Sequence, residues 1–378
     1  MTKAAELAKM GEVITNSQIG GRRNIIFNGK HNISQRGTSA VTGLGDDDEG
    51  YPLTDRWRHT VGAGAGRYTA SQEAITDLPG FTTCLKIACT TADTSIAASE
   101  RFMLEQRLEG QDLQQLKKGT SEAEKVTVSF YVKGHDSATY TVGLYDTDGR
   151  QVGATFSVTT SWARQTVTFP GDTTGALAND NTAQLHLRFF LHGGSNYTSG
   201  TLATAWESAT NANQISSSAN SIFESDSATF FITGVQMEVG SQATPFEHRS
   251  HAEELELCKR YFQKFGGGAN KTIAHVYAPS TAELALLLRF APELRTSPSV
   301  DWSSDTTDLT YRYNANNSQN FDRGDLSNDG GVGQVTPQGG SMWISGWSHG
   351  QSSNDGGEIR VLSVSPEEFL FIQFDAEL

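Results

Sequence analysis

Trp343, Ser345 and Trp347, in the run MWISGW, fall on one face of an extended strand, because alternate residues of a strand share a side. Two indoles at that spacing form a flat platform on which sugar rings can stack, and Asn354 and Asp355 follow closely enough to bond hydroxyls. The competing reading is that this face is sandwich core, where large rings usually go. Tyr197 and Trp206 are further candidate sugar contacts, set in the long polar stretch Gly193–Asn220. A loop of that length in a compact domain is usually functional or mobile, but a lone tryptophan in it can also be the anchor that holds it down.

Other constellations offer less. Asp46, Asp47, Asp48 and Glu49 could supply oxygen ligands to calcium, yet consecutive carboxylates rarely converge on one ion, and a solvated acidic loop is the simpler account. Asp146-Thr147-Asp148-Gly149 starts like a calcium loop but lacks the later ligands, and reads as a hairpin turn. His248, His251 and Cys258 are too few for zinc, and His186 and His192 stand among leucines on what reads as a packed strand. No Gly-x-Ser-x-Gly elbow occurs, no acid pair has a spacing that fixes geometry, and Gly62–Gly66 lacks the Lys-Ser/Thr ending of a phosphate loop. No catalytic residue, metal or cofactor is therefore assigned.

The elements that would position these residues are mostly strands. Val126–Lys133 alternates strictly, with Val126, Val128, Phe130 and Val132 on one side. Leu185, Leu187, Phe189 and Leu191 do the same, and Thr139–Tyr145 and Gln151–Val158 flank the Asp-Gly turn. Ile25–Gly29 reads as a strand entering a turn. Many strands of this length, separated by turn signals, predict an all-β fold of two antiparallel β-sandwich, jelly-roll-like domains. Two helices complete it. Thr2–Thr15 carries an apolar stripe of Ala4, Leu7 and Ile14 flanked by Met10, so Leu7, Met10 and Ile14 are the docking or oligomerisation candidates. Ser250 and Glu253 fit a capping box for an interdomain helix whose apolar face runs through Cys258, Tyr261 and Phe262 to Phe265 and ends at Gly266–Gly268. The expected divisions are 1–24 (helix and joint), 25–248 (large sandwich), 249–268 (linker helix and glycine hinge) and 269–378 (small sandwich).

The 378 residues exceed a usual single core. A net charge of −14 disfavours phosphate backbones, so nucleic acid is an unlikely partner on electrostatic grounds. Three cysteines make no disulfide framework, and Cys84 and Cys89, five apart, point to opposite faces of a strand. Met1–Val13 has no signal-peptide pattern, and no apolar run spans a bilayer, so folding in a cytoplasm without membrane insertion is expected.

Several segments in order resemble bacteriophage virion proteins of the tail-fibre-like, carbohydrate-binding-domain kind, as in marine phages. They are AAELAKMGEVITNSQIGGRRNIIFNG at the start, Gln35–Ser39, Asp55-Arg56-Trp57, Val126–Gly134, Phe169–Gly175, Gly234–Arg249 and Cys258–Phe265. The resemblance covers roughly residues 1–265. It implies a jelly-roll-like sandwich, a homotrimer, other virion proteins of tail or capsid as partners, and a place on a virion assembled in the host cytoplasm. It implies no enzymatic activity. The resulting expectation is a non-enzymatic fibre or spike subunit that oligomerises and presents a distal domain for host attachment through a surface glycan. The alternatives are a glycan-depolymerising spike, a capsid decoration protein without receptor role, and an assembly factor.

Overall fold

The computed structural model describes Lys3 and residues 22–46, 48–267, 272–280, 283–302, 309–314, 317–321, 335–345, 356–361 and 370–378. The docking candidates Leu7, Met10 and Ile14 lie outside the described residues. The chain divides into two compact units, Met1–Glu254 with Leu378, and Leu255–Glu377.

The first unit is a sandwich of two six-stranded antiparallel sheets. One runs in the order β1 (Val41–Leu44), β3 (Arg67–Ala74), β4 (Thr83–Thr91), β12 (Thr229–Val239), β6 (Val126–Gly134) and β9 (Ala163–Phe169). The other runs β11 (Glu207–Ser208), β8 (Arg150–Val158), β7 (Ala138–Asp146), β10 (Ala183–Gly193), β5 (Arg101–Glu109) and β2 (Arg58–Gly62). The alternation read from sequence decides which side chains enter the core. Val126, Val128, Phe130 and Val132 of β6 share one buried cluster with Leu185, Leu187, Phe189 and Leu191 of β10. Phe130 meets Phe189 edge-on at 4.9 Å and Phe156 at 5.0 Å, geometries that add to the area term. The β7–β8 hairpin turns through Thr147–Gly149, with Gly149 at φ +77°, as an Asp-Gly turn requires. All three cysteines are free and buried, and burial raises the thiol of Cys84 to about 12 and that of Cys89 to about 11.

Ile25–Gly29 enters a turn as expected, with Asn28 at φ +53°, but Ile25 and Ile26 before it are not part of a strand. Ile25 N–H donates to Met237 O at 2.9 Å and Gly29 O accepts from Val235 N–H at 2.9 Å, while the Gln106 side chain serves both backbone groups of Phe27 at 2.8 Å. A side chain thus replaces ladder bonds that a buried segment must otherwise find. A Cβ at Gly29 would lie 2.1 Å from Val235 O, so only glycine allows this approach.

The helix His251–Lys259 starts as expected. Ser250 N–H donates to Glu253 Oε2 at 3.0 Å, and Glu253 N–H donates to Ser250 Oγ at 3.2 Å. It ends early, however. Phe262–Gly267 is a strand, β13, paired with β21 (Leu370–Asp375), and Phe265 packs against Phe374 at 5.7 Å. The capping box fixes the start, whereas the aromatic run beyond Lys259 suits a strand as well as a helix once a partner edge is present.

The second unit holds a three-stranded sheet, β13–β21–β16 (β16 Ser299–Trp302), and a six-stranded one. The latter runs β18 (Asn317–Phe321), β17 (Leu309–Asn314), β20 (Gly356–Val361), β14 (Thr272–Ser280), β15 (Glu283–Arg289) and β19 (Gly339–Ser345).

Two histidines lie in the first core. The His31 ring lies 4.8 Å from that of Trp57, tilted by 38°, and His59 Nδ1 is 2.9 Å from Tyr68 Oη. Burial holds both pKa values down to about 3, with the neighbouring His59 adding to the effect on His31. Their ordinary value is near 6.5, so an unfolded chain takes up protons below that pH and the folded one does not. The neutral-histidine contribution is therefore complete above pH 6.5 and lost as pH falls toward 3, at on the order of 1 kcal/mol per pH unit for each ring. Calorimetric unfolding should show a level first-unit Tm above pH 7 and a steady fall between pH 6.5 and 4.5. A level Tm across that lower window would contradict burial of the two rings.

Candidate glycan-binding cleft

The same alternation that fills the core sets a second list of residues on the opposite side of the β11–β2 sheet. Register aligns them into rows. Arg58 stands opposite Glu105, Glu105 opposite Arg188, Arg188 opposite Gly143, and Gly143 opposite Gly153. The next row is Arg107, His186, Tyr145, Gln151 and Glu207.

The first row begins with a charge cluster. Glu105 is fully buried, and its carboxylate meets Arg58 at 3.2 Å, Arg107 at 2.8 Å, Arg188 at 3.1 Å and His186 Nδ1 at 3.3 Å. Burial by itself would raise its pKa, but the hydrogen bond to His186 and the surrounding cationic charge outweigh this and hold the group well below the usual carboxylate range. Burial also pushes His186 below its ordinary value, so the ring is neutral at pH 7 and the permanent guanidinium charges keep Glu105 ionised. Arg188 is thereby fixed, with its guanidinium carbon 4.1 Å from the Tyr145 ring centre, a cation–π contact.

The row ends in two glycines packed close under their neighbours: a Cβ on Gly153 would lie 3.0 Å from the Leu202 side chain, and one on Gly143 would lie 3.7 Å from the Phe190 ring. Gly143 and Gly153 face each other on adjacent strands, and neither has a positive φ, so their role here is to omit a side chain. The segment Gly193–Asn220 folds beside these glycines: Gly153 N–H donates to Ala203 O at 2.6 Å, and Ile215 packs with Met103, Phe190 and Tyr197. Between sheet and loop lies a narrow cleft whose enclosed volume, about 10 Å³, has room for about one water, lined by Tyr145, Gln151, Arg188, Phe190, Asn213 and Gln214 beside the two glycines. Gln151 directs its amide N–H groups to Glu207 Oε1 at 3.1 Å and Thr210 O at 3.0 Å, and Gln214 directs its own to Asn211 Oδ1 at 3.1 Å. Both amide oxygens are left buried without a partner. A buried acceptor without a donor costs about 1–3 kcal/mol, which a ligand hydroxyl could recover. An aromatic ring, a guanidinium and amide acceptors around the cleft suit a hydroxylated ligand.

The sequence-predicted residues are distributed differently. Tyr197 is half-buried at the far side of the Phe190 wall, with the Arg101 guanidinium carbon 4.9 Å above its ring. Trp206 packs against the core and its indole N–H donates to Pro170 O at 2.7 Å; it lines a separate cavity with Lys118 and Asp172. Trp343 occupies β19 opposite Ala285, its side chain beyond the described residues, and Trp347, Asn354 and Asp355 lie outside them. Of the acidic runs, Asp46 and Asp48 accept backbone N–H groups and Glu49 pairs with Arg58 at 2.7 Å. Asp146 and Asp148 each lie 3.1 Å from the Lys118 ammonium, which sits where a cation between them would sit. His192 bridges Glu100 at 3.0 Å and Ser221 at 2.8 Å, within the fold. Among the described residues, no three His, Cys, Asp or Glu side chains converge as a metal site, and no helix is long and apolar enough to cross a membrane.

Sequence reasoning missed the cleft residues, yet a signal existed. A hairpin centred on Asp148 pairs residues equidistant from it, which sets Gly143 against Gly153 and Tyr145 against Gln151.

No family model and no curated protein matches this chain. Among solved structures it is similar to CBM4, at TM-score 0.29 and 12% identity over 56% of this chain and 97% of that one. It is similar to TmCBM61 in complex with β-1,4-galactotriose at TM-score 0.28 and 11% identity, over 58% and 99%. The enzymatically active domain of bacteriophage CBA120 tailspike protein 4 is matched at TM-score 0.29 and 10% identity, over 57% of this chain and 21% of that one. At this level of likeness, function has to be argued from side chains.

Replacing Glu105 with Gln leaves the partly buried Arg107 and Arg188 without their shared carboxylate, while Arg58 keeps Glu49. Denaturant titration should show a loss of about 3–5 kcal/mol from the first unit, the range for breaking a buried ion pair from one side. A loss below about 1 kcal/mol would mean the cluster behaves like exposed surface pairs.

Proposed function

We propose that the first unit binds a saccharide at the mouth of the cleft between the β7–β8–β10 surface and the Gly193–Asn220 segment. The observation that carries this reading is the pair of opposed glycines, Gly143 and Gly153, beside two buried amide oxygens that lack donors. A sugar docked at the mouth of the cleft would meet Tyr145, Arg188 and Phe190, and one hydroxyl reaching inward would supply a proton that Gln151 and Gln214 lack. Among the described residues, Tyr145 and Arg188 are the ionisable groups that line the cleft, and the role proposed is recognition.

The wider setting proposed is a phage virion, with the protein as a fibre- or spike-type homotrimeric subunit that meets a host surface glycan. Its support is the order of segments resembling phage virion proteins and the apolar stripe Leu7, Met10 and Ile14, which would dock the subunit on itself or on another virion protein. A solution mass of one chain at micromolar concentration would remove the trimer from this setting.

The binding claim is tested on a printed panel of microbial glycans, followed by calorimetry with the best ligand. Gln214→Leu keeps the volume and removes an acceptor, so it should weaken binding at least tenfold, while the lost Asn211 hydrogen bond and the relieved unpaired acceptor offset each other to within about 2 kcal/mol of unfolding free energy. Equal affinity in the two proteins would remove the cleft from the account.

A further inference from the structure

Four arginines stand on the cleft side of this sheet, and three of them, Arg58, Arg107 and Arg188, share Glu105. The fourth, Arg101, makes no ion pair among the described residues, and its Nε is buried without an acceptor. Its guanidinium carbon lies 4.9 Å from the Tyr197 ring centre, a cation–π contact that holds the side chain in place. Across the β5–β10 ladder Arg101 stands opposite Gly193, again a residue without a side chain. Tyr197 belongs to the cluster of Met103, Phe190 and Ile215, and Phe190 is also a wall of the cleft. Two arginine-on-tyrosine pairs therefore bracket the same apolar cluster, Arg188 with Tyr145 on one side and Arg101 with Tyr197 on the other.

The charge balance of these pairs differs. Arg188 has Glu105 as a carboxylate partner, shared with two other arginines, whereas Arg101 has no carboxylate partner among the described residues of a protein of net charge −14. Such a protein repels anions at long range, so an unneutralised guanidinium beside a ligand cleft selects for an anionic group at that one point. Burial and then, with lesser weight, the nearby charge of Arg101 press on the ionised form of Arg188, and an anion placed at Arg101 would relieve that repulsion. A guanidinium presents paired N–H donors in a plane, which match the two oxygens of a carboxylate.

We infer that the saccharide carries a carboxylate, as uronic-type sugars do, and that Arg101 anchors it while the neutral part of the chain lies at the mouth of the cleft. This rests on the saccharide reading above and sharpens it to a ligand class. Arg101 touches only the ligand and Tyr197 in this scheme, so replacing it leaves the ion-pair cluster and the core intact.

The test is a panel of neutral, carboxylated and sulfated glycans read with the full-length protein and with Arg101→Gln and Arg101→Lys. The best carboxylated ligand is then compared by calorimetry with its carboxyl-reduced form, at low and high salt. Carboxylated glycans should lead the panel and lose at least tenfold in affinity on carboxyl reduction. That difference should shrink at high salt, vanish in Arg101→Gln and return in part in Arg101→Lys. Neutral glycans leading with no salt dependence would overturn the carboxylate assignment and leave saccharide binding standing. So would a carboxylate preference unchanged in Arg101→Gln, or sulfated glycans ahead of carboxylated ones. Binding to no glycan of any class would overturn both.

Discussion

Strands β5 and β10 have to satisfy two opposite environments with alternating residues, and the first unit is built around that constraint. Phe102, Leu104, Leu108, Leu187 and Phe189 enter the core, while Arg101, Glu105, Arg107, His186 and Arg188 take the other side. A slip of one residue in their pairing would exchange the two sets. Glu105 makes that slip more costly still, because its carboxylate finds its guanidinium partners only in the observed register. The same register delivers Arg188 to Tyr145 and leaves Gly143 beside it. Packing, charge pairing and the cleft are thus consequences of one alignment.

The loop that covers the cleft depends on the sheet in turn. Ala203 O accepts from Gly153 N–H, and Ile215 is sealed by Met103 and Phe190. A long polar segment with few apolar residues is held by a small number of such contacts. Its side chains Asn213 and Gln214 then belong to the wall of a preformed site, which lowers the ordering cost of binding.

Much of the fold was legible in sequence because strict alternation has one physical reading: VTVSFYVK is β6, and Leu185–Leu191 lies in β10. The Asp-Gly turn and the Ser250–Glu253 capping box were equally direct, since each is a local exchange of hydrogen bonds. What failed were segments decided by distant partners. Ile25–Phe27 looks like a strand until Gln106 is seen to supply the bonds of Phe27, and Tyr261–Phe265 looks helical until β21 is found beside it. The cleft was hidden for the same reason. Residues 58, 105, 188, 143 and 153 become neighbours only through four separate ladders, and aromatic residues that stand out in a linear reading, such as Trp206, are taken up by the core.

Hydrogen exchange of the full-length protein, with and without the best glycan, tests the central claim most directly. The account predicts slower exchange at residues 143–153, 188–190 and 211–214, the backbone that surrounds the cleft. Unchanged exchange there, with protection confined to another surface such as β19 and its Trp343, would contradict it.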